Sequence, residues 1–330
     1  MPQPDPMTLP ERYSVRRARE QDIPHILALI ADCDHSFGVV LGGFNEEDIT
    51  QGWADLDIEQ DTWAIIAPDG SLAAYGEVTD RGSGKLTADG YVHPDHRGQG
   101  LGTSLARAME ARAREIAPKS PEGAQVDLTI GVLLLDQAAR DLLERDGYAV
   151  ARVFWVMRVS LEEEPAAPSL PAGLRLRAFV PGQDERAVFE TVEAAFAEHW
   201  GHTPREFEEW LSFSRRADFD PALWLLVETA DGAIPAVALG TMRTDHVWIN
   251  TVGTLHEWRG QGLANALLRA AFRACWQKGM RVVALGVDSQ NPTGATHLYE
   301  AAGMAVSSSA IVYQKILRPG VDQDTSAGQA

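Results

Sequence analysis

Arg97-Gly98-Gln99-Gly100-Leu101-Gly102 returns 162 residues later as Arg259-Gly260-Gln261-Gly262-Leu263-Ala264. The upstream turn Asp69-Gly70 returns at the same offset as Asp231-Gly232, and Glu144 to Gly147 returns as Glu300 to Gly303 at an offset of 156. Three coincidences in the same order mark a tandem duplication. The shorter second offset assigns about six extra residues to the first copy, within the Pro/Gly-containing stretch 117–124. The repeats are expected to span residues 12–161 and 172–317, joined by the acidic, proline-rich linker 162–171 and followed by a flexible tail 318–330.

Working outward from the glycine stretches, both halves alternate strand and helix signals. In the first half these are strand Tyr13–Arg17, a helix from Asp22 with Ile23, Ile26, Leu27 and Ile30 on one face, and a hairpin of Thr62–Ala67 with Leu72–Val78. Strand Leu86–Val92, helix Leu101–Ile116, strand Val126–Val132, helix Asp136–Arg145 and strand Tyr148–Val159 follow. The second half repeats the order. A strand near Leu174 is followed by helices around 184–198 and 205–214 and strands Leu223–Glu228, Val237–Thr241 and Val247–Val252. Helix Leu263–Lys278, strand Val282–Val287, helix Thr293–Ala302 and strand Ala305–Lys315 complete it. The class is α/β, two tandem domains each with a mixed sheet.

Composition narrows the function. Of 330 residues 45% are hydrophobic, enough for two cores, and the net charge of −18 disfavours nucleic acid and anionic membrane as partners. A small cationic partner is favoured by long-range attraction. Cys33 and Cys275 form no metal-type pairing, His93-x-x-His96 lacks matching ligands, and no metal is expected. No run approaches the length of a membrane span and the first residues do not form a signal peptide, so the expected location is cytoplasmic.

Each glycine stretch lies between a strand and an amphipathic helix. Glycine lets the backbone approach a ligand closely, and the first N–H groups of the following helix point outward with the positive end of its dipole behind them. Such a terminus suits a pyrophosphate, to which Arg97 and Arg259 would add charge-assisted bonds. A P-loop would need Lys-Ser/Thr at its end, and a dinucleotide fingerprint would need GxGxxG on the first strand–helix turn. Neither fits a GxGxG or GxGxA spacing some 80 residues into each repeat.

Arg97-x-x-Gly100-x-Gly102 and Arg259-x-x-Gly262-x-Ala264 resemble the acetyl-CoA pyrophosphate motif of the GNAT superfamily of N-acyltransferases. The second half adds Asn291-x-x-x-Ala295-x-x-Leu298-Tyr299-Glu300-x-x-Gly303-Met304, and the tandem arrangement resembles the mycothiol synthase group. The resemblance implies acetyl-CoA as cosubstrate, a primary amine as acceptor, direct attack of that amine on the thioester, and a tyrosine that protonates the departing thiolate. Tyr299 takes that position. The implied cofactor residues in the second half are Val252, Thr254, Arg259, Gly260, Gln261, Gly262, Leu263, Ala264, Asn265 and Asn291. In the first half they are Val92, Arg97, Gly98, Gln99, Gly100, Leu101, Gly102 and Thr103. Asn291 before Pro292 also reads as a helix N-cap.

The general base is less evident. An ungapped count from Arg259 puts Trp248 where the mycothiol synthase group carries a glutamate. Asp245, Glu198 and Asp288 are the alternative acids, and loss of the proton through water is a further route. The segment His199 to His202 is a candidate lining of the acceptor cleft. In the first half Leu143 and Leu135 stand where the second has Tyr299 and Asn291. Chemistry is therefore expected in the C-terminal domain, with the N-terminal domain binding acetyl-CoA structurally or inactive. The competing class is a non-catalytic acyl-CoA-binding or sensor protein.

Overall fold

Both glycine stretches lead into the long helix that their context predicts, α4 (Leu101–Ile116) and α8 (Leu263–Gln277). The computed structural model describes residues 7–321 apart from 40–43, 55, 198, 201, 203, 217 and 292. Its first half continues with β1 (Ser14–Arg16), α1 (Ile23–Ser36), α2 (Glu46–Ala54), α3 (Ile58–Asp61), β2 (Thr62–Ile66), β3 (Leu72–Asp80) and β4 (Lys85–Val92) before α4. After α4 come β5 (Val126–Leu133), α5 (Gln137–Arg145) and β6 (Ala149–Ser160). The second half comprises β7 (Leu174–Ala178), α6 (Glu185–Phe196), α7 (Phe207–Leu211), β8 (Trp224–Thr229), β9 (Ala236–Met242), β10 (Val247–Thr254), α8, β11 (Val282–Asp288), α9 (Ala295–Ala301) and β12 (Ala305–Arg318).

The chain divides into two compact units, Met1–Val153 with Ser309–Ala330, and Phe154–Ser308. These are not the two sequence repeats. In the N-terminal unit the strand order is β1-β2-β3-β4-β5-β12, with β4 and β5 parallel and the remaining pairs antiparallel. In the C-terminal unit it is β6-β11-β10-β9-β8-β7, with β10 and β11 the parallel pair. The closing strand of each repeat therefore serves the other unit. Residues Phe154–Ser160 pair with β11, and Ala310–Arg318 pair with β5. The segment expected as a linker is tied to the C-terminal unit, where Arg273 donates to the Pro165 carbonyl at 3.1 Å and pairs with Glu164 at 2.7 Å.

Helix α4 packs on β3 and β4 through Leu101, Leu105, Met109, Ala113 and Ile116, a stripe at helical spacing. Gly76 is needed under it, because a Cβ there would stand 2.8 Å from Leu105 Cδ1. Helix α8 does the same over β8, β9 and β10 with small residues, burying Ala266, Ala270 and Ala271 beside Leu263, Leu267 and Cys275. The extra residues of the first copy form a turn against which Arg318 and Val321 are held. Arg318 donates to the carbonyls of Pro121 at 2.6 Å and Ala124 at 3.1 Å, and Val321 bridges to Ala124. Arg318, the first residue of the expected tail, is held by charge-assisted bonds to the carbonyls of Ala117, Ser120, Pro121 and Ala124, and the expected tail beyond Val321 lies outside the described residues.

At the β7–β8 edge, Arg175 and Arg177 hold the Glu228 carboxylate far below its usual range, down to about 2. A carboxyl depressed on folding stabilises above its unfolded pKa, and that contribution is lost as pH falls through the folded one. The thermal midpoint is expected to drop between about pH 4.5 and pH 2, and Glu228→Gln to flatten that part of the curve. An unchanged slope in the variant would remove this pair as a source of acid sensitivity.

Candidate active site

β10 and β11 run parallel and bonded only from Val247↔Val283 to Ile249↔Leu285. Beyond that point β10 carries a bulge between Ile249 and Thr251 and continues its pairing with β9 alone, from Thr251↔Leu239 to Thr254↔Ala236. A bulge bends the strand and increases its twist. The β11-facing edge of Thr251–Thr254 is thus left without a ladder partner where the strands separate. The Thr254 hydroxyl is buried there with no hydrogen-bond partner among the described residues. β10 then leads through a 3₁₀ turn at His256–Trp258 to the glycine stretch and the N-terminus of α8.

Gly260 has φ +75° and Gly262, the N-cap of α8, has φ +81°. A Cβ on either would meet nothing within 4 Å, so glycine is required by the left-handed backbone and leaves open space over the first helical turn. That turn contains Leu263, Ala264 and Asn265, with unpaired N–H groups aimed outward. The Arg259 guanidinium lies against protein carbonyls, those of Thr254 and Ala195, both at 3.4 Å. It braces the end of β10 and α6 against the loop, and Gln261 leans back on the Glu257 carbonyl in the same way.

Tyr299 sits on α9 within the core cluster of the C-terminal unit, 7% exposed. Burial pushes its hydroxyl up to about 12. Among the described residues no hydrogen bond acts on that hydroxyl, whose only influence is burial of the residue. Asn291 is used differently from the expected N-cap. Its Oδ1 accepts from the Thr293 N–H at 2.8 Å and from the Thr293 hydroxyl at 2.5 Å. Gly294 at φ +74° then caps α9, which starts at Ala295, two residues later than expected. The local turn outcompetes the helix for the backbone between them.

The expected bases fare unequally. Asp245 lies in the β9–β10 turn, 61% exposed, with its carboxylate 2.7 Å from His246 Nδ1. At roughly 3.3 Å per strand residue it lies about 15 Å along β10 from the bulge. Glu198 lies outside the described residues. Asp288 ends β11 at the open side of the strand separation and accepts from the Gln290 N–H at 2.9 Å. Trp248 lies on β10, with the His246 ring edge-on to its own at 6.2 Å. Around the expected acceptor lining, the Phe196 and His199 rings stand 4.4 Å apart, and His202 pairs with Glu193 at 3.3 Å.

The N-terminal unit repeats the loop without the phenol. Gly98 and Gly100 have φ +74° and +82°, and Leu101, Gly102 and Thr103 open α4. Val92 packs 3.7 Å from the position of a Gly102 Cβ. Arg97 donates to the Ser36 hydroxyl at 2.8 Å over the Phe37 ring, and Gln99 accepts from Arg12 at 2.6 Å. Leu143 fills the Tyr299 position at 3% exposure, while Leu135 stands 67% exposed. The sequence reading passed over Asn250 at the bulge and the set of buried Tyr75 with half-buried Glu77, Asp89 and Tyr91. The spacing of two within each of those pairs was the available signal. Among the described residues no three His, Cys, Asp or Glu side chains are grouped to hold a metal ion, and no helix is long and apolar enough to cross a membrane.

The Acetyltransferase (GNAT) family is matched twice, by residues 30–148 and by residues 186–304. The chain belongs to this family. As a tandem GNAT protein it is an acyltransferase of the kind that uses acetyl-CoA or another acyl-CoA. It is 31% identical over 258 residues to a mycothiol acetyltransferase of Pseudarthrobacter chlorophenolicus, covering 73% of this chain and 76% of that protein. The crystal structure of a GCN5-related N-acetyltransferase from Sphaerobacter thermophilus is 39% identical with a TM-score of 0.83, covering 96% of this chain and 99% of the other. A tandem GNAT protein from the clavulanic acid biosynthesis pathway shares the fold alone at 16% identity, with a TM-score of 0.70 over 94% of this chain and all of its own.

Proposed function

We propose that the C-terminal unit of this GNAT protein transfers an acetyl group from acetyl-CoA to the primary amine of a small molecule. The observation that carries the reading is the pairing, in one unit, of an opened β10–β11 edge with Tyr299, a buried residue whose hydroxyl has no hydrogen bond among the described residues. Acetyl-CoA would supply the activated acyl group as a thioester. The free edge of Thr251–Thr254, with the Thr254 hydroxyl, offers donors and acceptors for its amide-bearing arm. The first-turn N–H groups of α8 receive its phosphates. Tyr299 donates its proton to the sulfur as the thiolate leaves, and the amine loses its own proton through water. The N-terminal unit, with the loop kept and Leu143 in place of the phenol, binds acyl-CoA without turning it over. Similarity to a mycothiol acetyltransferase supports a small amine-bearing metabolite as the acceptor.

Gly262→Val tests the assignment. A β-branched side chain at φ +81° costs about 1–2 kcal/mol in the left-handed region and covers the phosphate-facing amides. KM for acetyl-CoA is expected to rise at least tenfold in steady-state assays over an amine panel. Full turnover in Gly262→Val together with its loss in Gly100→Val would move the chemistry to the other unit.

A further inference from the structure

The two units differ in the strand that leads to the glycine loop. In the N-terminal unit β3 and β4 pair without interruption from Ala74↔Val92 to Asp80↔Leu86. Leu86, Ala88, the Cβ position of Gly90 and Val92 all face the core under α4, a strict period of two. In the C-terminal unit Val247, Ile249 and Val252 take that side under α8, spaced two and then three. β10 therefore holds one residue more than β4 between the same ladder steps. Ile249↔Gly240 and Thr251↔Leu239 flank Asn250, which has no partner in the ladder. The matching steps Ala88↔Val78 and Asp89↔Glu77 follow one another directly.

The turn before the strand balances the extra residue. Four residues, 243–246, lie between Met242 and Val247, where five, 81–85, lie between Asp80 and Leu86. Insertion and shortened turn cancel, so the repeat keeps its offset of 162 on both sides and no gap shows in the sequence. Between Ile249 and Val252, Asn250 and Thr251 both fall on the face away from α8. Asn250 is fixed there by its side chain, whose Nδ2 donates to the Thr241 hydroxyl at 2.7 Å. Thr241 is the ladder partner of Trp248, so this bond reaches back along β9 and spans the bulge. The bulge falls at Ile249↔Leu285, the last β10–β11 pair before the strands separate.

We infer that Asn250 is a positioning residue for the acyl transfer. The extra residue keeps main-chain groups of β10 out of the ladder where the opened edge begins, and the amide tied to Thr241 holds them in one conformation. Asn250 acts through that backbone and not on the reacting atoms. The inference rests on the reading that chemistry belongs to the C-terminal unit. It gives that unit a second distinction from its repeat besides Tyr299, because β4 runs through the same point without a bulge.

Deletion of Asn250 from the full chain tests it, with thiol release from acetyl-CoA over a panel of primary amines (glucosamine, putrescine, glycylglycine) as the readout. The deletion joins Ile249↔Gly240 to Thr251↔Leu239 in one regular ladder and leaves Thr251–Thr254 and the glycine loop in their present register. The thermal midpoint should therefore equal or exceed the parent's. kcat is expected to fall roughly tenfold or more, since small misplacements at a reacting centre are costly. KM for acetyl-CoA should stay within about threefold of the parent, because uniform binding is kept. Thr241→Val, which removes the acceptor, should lower kcat in the same direction, and Thr241→Ser, which keeps it, should restore it. A deletion variant with kcat within about twofold of the parent, or Thr241→Ser no different from Thr241→Val, overturns the proposal. Should the deletion melt below the parent, the Thr241 pair decides alone. Tyr299→Phe in the same assay separates this inference from the reading beneath it. Parent kcat in that variant would take the chemistry out of the C-terminal unit and this role with it. A loss there beside an unimpaired deletion variant would reject the role of Asn250 only.

Discussion

A chain ending at Ser308 is expected to lose the folded N-terminal unit while keeping the C-terminal one. The missing strand segment pairs with β5 from Ala310↔Leu133 to Arg318↔Val126. It carries Ile311 and Tyr313 into the core at 4% and 0% exposure. Truncating one buried aromatic costs about 3–5 kcal/mol. Here the loss also strands Glu144, which accepts from the Tyr313 hydroxyl at 2.6 Å, and Glu110, which pairs with Lys315 at 2.7 Å. Against a typical domain stability of about 5–15 kcal/mol, these losses together are of the size that unfolds a unit. Hydrogen exchange followed by mass spectrometry checks it. Protection in β3, β4 and β5 should vanish in the shortened chain while β9 and β10 keep theirs. Retained protection in β5 would mean that the strand is dispensable. By the same logic, cutting at the 162–171 linker completes neither unit, since Phe154–Ser160 belong beside β11.

Tyr299→Phe is expected to lower kcat by roughly 10²-fold or more, the lower end of what a positioned acid contributes. KM for acetyl-CoA should change little, because the ring stays in the core and only the proton donor goes. The pH dependence has a definite sign. With the hydroxyl pushed up to about 12 by burial, the acid form persists through the whole assay range, and no basic limb below about pH 11 can come from this residue. A raised tyrosine pKa also stabilises the fold below its unfolded value near 10 and loses that contribution as pH climbs toward 12. Single-turnover thiol release in the parent and the variant separates the acid role from binding. A variant that releases thiol at the parent rate would take Tyr299 out of the chemistry.

Much of this architecture could be read from the residues. Helix α4 begins and ends at Leu101 and Ile116 as its spacing predicts, and the two loops sit where the repeat puts them. Helix α2 escaped because only Ile49 and Trp53 of its nine residues are buried behind an acidic first turn. The strand partners escaped for another reason. Tyr148–Val159 and Ala305–Lys315 both read as strands, and nothing in alternation says whether β5 or β11 lies beside each. An ungapped count to Trp248 could not register the bulge between Ile249 and Thr251. Glu77 and Asp89 alternate like a solvent face, and only the helix α1 packed on β3 and β4 makes them half-buried.

The partner chosen by β5 also orders events during synthesis. Residues of the N-terminal unit up to Val153 leave the ribosome first, but their closing strand begins at Ser309. At about 5–20 residues per second, the intervening stretch takes on the order of 10–30 s to make. Throughout that time β5 presents an unpaired edge, the kind of surface on which nascent chains join to one another. The C-terminal unit, contiguous from Phe154 to Ser308, can finish first. The half that is made first is the half that matures last.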